Sequence, residues 1–237
     1  MTLQTLVMLP TYNERDNLQP IVEKILGLSK EIGVVIVDDS SPDGTGEIAD
    51  ELAKRYGQRV HVIHRKERGR GTAGIAGFQY IVTQPVKYAI EMDVDFSHNP
   101  KHIPEFLKEI EGVDVVVGSR FVQGGRDIDR GIQRRIISRI SRFIYRLILG
   151  LPIQDVGSGY KCYRKEVLAS LPWERFYSTS IGISMEELFR IARKGYKIKE
   201  IPIHFVDRRA GKSKLGLRGY LEPSIVGIRL VFELGRA

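Results

Sequence analysis

The chain has 237 residues, enough for one large domain with a real core or for two small ones. Its net charge of +8 points to acidic partners: nucleotides, phospholipid surfaces or nucleic acid. The single cysteine, Cys162, excludes an internal disulfide and a cysteine-based zinc cluster, and agrees with a reducing compartment. Met1-Thr2-Leu3-Gln4 has neither a basic leader nor a long apolar run, so no signal peptide is expected. No window reaches the roughly 18 uninterrupted apolar residues of a membrane span.

Taken in order, Leu6-Val7-Met8-Leu9 reads as a strand and Asp16 to Leu28 as a helix. Val34 to Val37 is a strand, and Thr45 to Tyr56 a helix. Val60 to Ile63 is a strand, and Gly71 to Val82 a helix. Tyr88-Ala89-Ile90 begins a fourth strand, followed by a helix near Pro104 to Ile110 and a strand over Val113 to Val117. This alternation predicts an α/β fold: a mostly parallel central sheet, helices on both faces, and a ligand at the C-terminal strand ends.

Acids gather at those ends. Asp38 and Asp39 follow the second strand, and Asp93 and Asp95 the fourth. Read as a continuing strand, positions 93 and 95 point the same way. Two carboxylates side by side repel unless a cation sits between them. A hard ion such as Mg²⁺ or Mn²⁺ fits, its shell completed by water and substrate phosphates. The pattern therefore predicts a metal site for a diphosphate ligand, with a solvated strand end as the alternative.

Gly69-Arg70-Gly71-Thr72-Ala73-Gly74 matches a dinucleotide fingerprint, with Glu91 and Asp93 about 20 residues on. It follows the third strand rather than the first, however, and Arg65-Lys66-Glu67-Arg68 intervenes. The small residues read instead as close packing of a helix on the sheet near the ligand. His98 reads as an exposed turn residue rather than a catalytic base.

Pro10-Thr11-Tyr12-Asn13-Glu14, Val37-Asp38-Asp39-Ser40, Met92-Asp93-Val94-Asp95 and Gly118-Ser119-Arg120 resemble the inverting GT-A glycosyltransferases. Arg134-Arg135-Ile136-Ile137-Ser138, Asp155 to Lys165 and Phe205 to Leu215 are similar to the polyprenyl-phosphate (dolichol-phosphate) mannose synthases among them. That resemblance, over about residues 6 to 232, implies a Rossmann-like GT-A domain that moves mannose from GDP-mannose to a polyprenyl or dolichyl phosphate with inversion. A UDP-glucose glucosyltransferase is the nearest rival.

By position, the resemblance implies that Pro10, Tyr12 and Glu14 line the nucleoside pocket and that Asp39 holds base or ribose. Asp93 and Asp95 would bind Mg²⁺ or Mn²⁺, with Ser97 as a further ligand, weakly or through water. Arg120, Arg134 and Ser138 would hold the acceptor phosphate. Arg209 and Lys212, with Lys214, would close over the diphosphate, Arg208 competing with Arg209. Ser184-Met185-Glu186-Glu187 stands where the synthases usually carry Gln-x-Glu-Met, so Glu186 aligns with the acid and the glutamine is lost.

The lipid side is also legible. Arg135, Arg139, Arg142 and Arg146 share one helical face, and Ile136, Ile140, Phe143 and Leu147 lie on the other. A basic amphipathic helix suits an anionic membrane surface, with an ordinary helix packed on the sheet as the alternative. Ile225 to Leu234 is too short and too charged to span a bilayer but fits an interface. Expected, then, is a single domain at 1–237: a nucleotide-sugar-binding half at 1–118, an acceptor half at 119–215, and an amphipathic C-terminal helix at 216–237. The resemblance implies a form without its own span, peripheral on the cytoplasmic face of a membrane. It also implies a separate small membrane subunit as partner. A basic nucleic-acid-binding protein would explain the charge but not the paired acids, so no nucleic-acid partner is expected.

Overall fold

The computed structural model describes residues 2–128, 142–143, 145–147, 149–206 and 217–234. Arg134, Ser138, Arg208, Arg209, Lys212 and Lys214 lie outside them, so the roles expected for those six are not addressed by the structure.

The apolar runs become β1 (Thr5–Thr11), β2 (Ile32–Asp38), β3 (Val60–His64), β4 (Tyr88–Glu91) and β5 (Val115–Ser119). β7 (Lys161–Arg164) and β8 (Ile198–Pro202) complete a seven-stranded sheet in the order β3-β2-β1-β4-β7-β5-β8. All its pairings are parallel except those of β7, which runs antiparallel to β4 and β5. β6 (Arg126–Ile128) and β9 (His204–Val206) form a separate ribbon.

Each central strand is buried on both faces because its residues alternate between two cores. Leu6, Met8, Val35 and Val37 join α3 (Arg70–Thr83), α5 (Lys165–Ala169) and α6 (Ile183–Arg193) on one side. Val7, Leu9, Val34 and Ile36 join α1 (Arg15–Leu26), α2 (Thr45–Tyr56) and α4 (Ile103–Glu109) on the other. The α/β expectation, with helices on both faces, is met. A final helix, α7 (Leu217–Leu234), packs through Val226 and Leu230.

The topology places a crevice. β1 runs on to Thr11 beside Asp38 of β2, whereas β4 ends beside Met8 of β1. The chain moves outward from β1 to β3 and then returns to the other side of β1 to form β4. Such a reversal opens a ligand site beyond the carboxyl ends of the strands.

Candidate active site

A cavity of about 450 Å³ occupies that crevice. Its floor is Pro10, Thr11 and Tyr12 from the end of β1, with Glu14 beyond. Asp39, Asp93 and Asp95 line it from the ends of β2 and β4. Arg68, Gly69 and Arg70 enter α3 along one wall, and Ser180 and Ile181 close another. Asn13, Ser40 and Phe96, one after each of β1, β2 and β4, hold positive φ of 54°, 52° and 63°. Left-handed backbone at non-glycine residues is costly and gathers where a site needs a fixed turn.

Asp39 is almost fully buried and accepts the Gly69 amide at 2.8 Å and Arg65 Nη1 at 2.8 Å. Burial raises its pKa, opposed by those two partners. The carboxylate thus ties the end of β2 to the start of α3. Across the cavity, the Arg68 guanidinium lies 4.6 Å from the centre of the Tyr12 ring, a flat pair against which a nucleobase can stack. Glycine is needed at 71 because a Cβ would stand 2.7 Å from the carbonyl carbon of Thr179. The tight approach at Gly71 is thus to the Thr179–Ser180 loop that walls the cavity, whereas Gly74 makes only an ordinary 3.7 Å contact with Met8 of the sheet.

The two aspartates expected to bind metal reach the cavity by a different route from an extended strand. β4 stops at Glu91, and Asp93 and Asp95 lie in the irregular segment that follows. Strand alternation therefore does not orient them; local hydrogen bonds do. The Asp93 amide donates to His98 Nδ1 at 3.0 Å. Asp95 Oδ1 accepts from the Ser97 amide at 3.1 Å and the Ser97 hydroxyl at 2.6 Å. Ser97 is buried behind Asp95, spending its hydroxyl on that carboxylate. Among the described residues no cluster of three or more His, Cys, Asp or Glu is arranged to hold a metal. Two carboxylates facing a roomy cavity still fit Mg²⁺ or Mn²⁺, which draw their remaining oxygens from water and substrate.

His98 corrects the sequence reading. It is buried, not an exposed turn residue, and stacks on Tyr160 with ring centres 4.9 Å apart. Burial lowers its pKa, and its Nδ1 accepts the Asp93 amide, so the ring is a neutral prop for the Asp93 turn.

A smaller cavity of about 160 Å³ adjoins the first, sharing Arg70, Asp93 and Ile181 with it. Arg120 lines it, along with Ser158 and Ser184. Arg120 is held bidentately by Asp155, at 2.8 Å through Nε and 2.8 Å through Nη2. Burial opposes its charge, but Asp155 more than offsets that and raises its pKa. Glu186 does not reach either cavity. It accepts the amides of Tyr177 and Ser178 and pairs with Arg190 at 2.8 Å, bracing the loop that carries Ser180 and Ile181.

Sequence reasoning did not single out Arg70, which lines both cavities and meets two acids. Arg70 Nη2 and Nη1 lie 2.9 Å from Asp93 and 3.0 Å from Glu91. Burial acts against its charge, but Asp93 and Glu91 outweigh it and hold its pKa above the ordinary arginine value. The available signal was the motif itself: a bulky cation between two glycines, at the N-terminus of a helix facing two acids.

Of the basic amphipathic stretch, Arg135, Ile136, Arg139 and Ile140 lie outside the described residues, and the described part fits the alternative of a helix packed on the protein. Arg142 packs its guanidinium 4.4 Å from the Phe121 ring centre, and Arg146 donates to Gln154 at 2.9 Å. Both arginines face the protein, while Phe143 and Leu147 are 64% and 73% exposed. Tyr145 joins this stretch to Ser224 of α7 at 3.2 Å. α7 in turn exposes Ile225, Ile228 and Phe232. Among the described residues no helix is long and apolar enough to cross a membrane.

The mostly parallel sheet thus gathers at its switch point the Tyr12–Arg68 pair, the buried Asp39 and the carboxylates Asp93 and Asp95, the arrangement of a GT-A fold. The glycosyl transferase family 2 model matches residues 6–171, and the chain belongs to that family. It is 38% identical over 216 residues to a polyprenol monophosphomannose synthase of Mycolicibacterium smegmatis, covering 90% of this chain and 82% of that one. It is 37% identical over 227 residues to an undecaprenyl-phosphate mannosyltransferase of Micrococcus luteus, covering 95% and 93%. Among solved structures, glucosyl-3-phosphoglycerate synthase of Mycobacterium tuberculosis with UDP superposes with a TM-score of 0.67 at 19% identity, covering 98% of this chain and 79% of that one. Its complex with Mn²⁺ and UDP-glucose gives 0.65 at 18%, covering 98% and 78%. At that identity the likeness establishes the fold.

Proposed function

We propose that the chain transfers mannose from GDP-mannose to a polyprenyl phosphate, with inversion, at a membrane surface. The observation that carries this reading is a pair of adjoining cavities meeting at Asp93, in a chain over a third identical to two lipid-phosphate mannosyltransferases. The larger cavity has room for a nucleotide sugar, and the smaller one offers Arg120 to a phosphate.

In this reading Tyr12 and Arg68 hold the base and Asp39 the nucleoside. Asp93 and Asp95 would hold Mg²⁺ or Mn²⁺, which would offset charge growing on the departing diphosphate. A phosphate oxygen of the acceptor attacks the anomeric carbon as the bond from that carbon to the diphosphate oxygen breaks. The acceptor is already an anion at neutral pH, so it needs positioning more than a base. Arg120 supplies that: Asp155 holds its Nε/Nη2 edge, which leaves the Nη1 side of the guanidinium for the phosphate. His98, neutral and committed to the Asp93 amide, takes no proton from the acceptor.

Peripheral attachment is supported by the exposed Phe143, Leu147, Ile225, Ile228 and Phe232. These side chains fit insertion into the headgroup boundary of the bilayer that carries the acceptor.

The test is to supply the purified protein with liposomes containing undecaprenyl phosphate, Mn²⁺, and GDP-mannose or UDP-glucose. The expected product is lipid-phosphate mannose with the anomeric configuration opposite to the donor's. Product from UDP-glucose alone would overturn the donor, and no lipid-linked sugar from either donor would overturn the reaction.

A further inference from the structure

We propose that Arg70 is a built-in counter-cation for the aspartate pair and makes divalent-metal binding depend on the nucleotide diphosphate. This rests on the metal-site reading above and adds a residue outside the expected ligand set.

The guanidinium is held from two sides. One edge faces Asp93 Oδ1, through Nη2 at 2.9 Å and Nε at 3.3 Å. The other faces Glu91 Oε1 through Nη1 at 3.0 Å. Glu91 is itself anchored, for its second oxygen lies 3.0 Å from Lys161 Nζ, which reaches Glu187 at 2.6 Å. Glu91, Lys161 and Glu187 are all fully buried. Two carboxylates against one ammonium leave a buried negative charge, and Arg70 divides its positive charge between that cluster and Asp93. The arginine is thus bolted to the core at one end and presents its remaining edge to the metal-site carboxylate.

The backbone makes room for this pose. A Cβ at Gly159 would stand 2.5 Å from Arg70 Nη2, the nitrogen that contacts Asp93. Arg70 also lines both cavities, so its charge acts where donor and acceptor meet.

A divalent ion arriving alone at Asp93 and Asp95 meets a fixed positive charge one side chain away, and part of Asp93 is already engaged. Like charges at such range in a partly dry site repel strongly. A diphosphate brings negative charge that offsets the guanidinium and offers it oxygens of its own. Metal and nucleotide therefore enter as a unit, and metal alone binds poorly. A purely structural Arg70, present only to neutralise the buried acids, would not influence metal binding in this way.

The test measures Mn²⁺ binding by the electron-spin resonance of free Mn²⁺, with and without GDP or UDP. It compares wild type, Arg70→Met and Gly159→Ala. Gly159→Ala keeps every charge and displaces only the end of a flexible side chain, so it stands even where Arg70→Met folds poorly. Wild type is expected to hold Mn²⁺ weakly alone and tightly with nucleotide. Arg70→Met should tighten Mn²⁺ binding without nucleotide by about tenfold or more, and Gly159→Ala should move it the same way by less. Nucleotide-dependent Mn²⁺ binding in wild type with no tightening in either variant overturns the role of Arg70 and leaves the metal site standing. No Mn²⁺ bound by wild type in any condition overturns the metal site, and this proposal with it.

Discussion

Glu222 Oε1 lies 2.9 Å from the amide nitrogen of Ser180, so the C-terminal helix holds a wall of the larger cavity. The same oxygen accepts from the Thr179 amide and the Ser178 hydroxyl, both at 2.8 Å, and Oε2 takes the Gly182 amide at 3.0 Å. One carboxylate thus fixes a loop that would otherwise present bare amides. Glu222→Ala should cost about 1.5–3 kcal/mol, the range for hydrogen bonds to a charged group, and weaken nucleotide binding. Glu222→Gln should fall between, since its carbonyl oxygen can still accept but its NH2 nitrogen cannot. Urea unfolding and calorimetry with GDP and UDP measure both effects. Unchanged nucleotide affinity in Glu222→Ala would detach this loop from the donor site.

The aspartates make a sharper prediction. Asp95→Ala removes a proposed metal ligand and also the acceptor for the Ser97 amide and hydroxyl. Asp93→Ala removes the other and leaves Arg70 on Glu91 alone. Metal stabilisation of a leaving diphosphate contributes several kcal/mol, so each variant should lose about three orders of magnitude in transfer. Near-normal turnover by either variant, shown folded by circular dichroism, would remove the metal from the mechanism.

The sheet and its first helices were legible because their signals are local. Val34 to Val37 is a fully apolar run, and α2 has the predicted bounds, Thr45–Tyr56, between glycines at φ +90° and +54°. β7 was not legible. Its four residues include Lys161, which a core strand excludes unless distant acids such as Glu91 and Glu187 neutralise it. His98 was misread for a similar reason, since nothing nearby in sequence shows that it supports the Asp93 amide. The described arginines of the basic stretch, Arg142 and Arg146, illustrate another limit. Periodicity says which residues share a face but not which face meets the protein, and Phe121 and Gln154 decide that from elsewhere in the chain.

That reversal changes how the membrane prediction is tested. If the bare apolar side chains insert, Leu147→Asp with Phe232→Asp should abolish co-sedimentation with liposomes, because each large side chain contributes about 1.5–3 kcal/mol on burial. High salt should release wild type only in part, since apolar burial is not screened as surface charge is. Arg142→Glu should instead lower folding stability by breaking the Phe121 stacking, with little effect on vesicles at equal folded concentration. Loss of vesicle binding in folded Arg142→Glu, with the double aspartate variant still bound, would return the contact to the basic face.

The interior also sets an alkaline limit on stability. Burial raises the pKa of Cys162 above 9.0 and those of Tyr160 and Tyr163 above 10.0, the values that describe them in an unfolded chain. Tyr163 is raised further by Glu187, which accepts its hydroxyl at 2.9 Å. Folded, these groups keep protons that the unfolded chain releases. Their contribution is therefore complete below about pH 9 and is lost as pH rises, by about 1.4 kcal/mol per pH unit for each group past its unfolded pKa. Urea unfolding followed from neutral pH to about 10.5 should show a decline that begins near 9 and steepens near 10. Cys162→Ala removes the earliest group, so its decline should start about one unit later and then be shallower than wild type's by about 1.4 kcal/mol per pH unit. An identical onset in Cys162→Ala, or a flat profile in wild type, would mean that the core admits water at β7 and that these groups are not held protonated there.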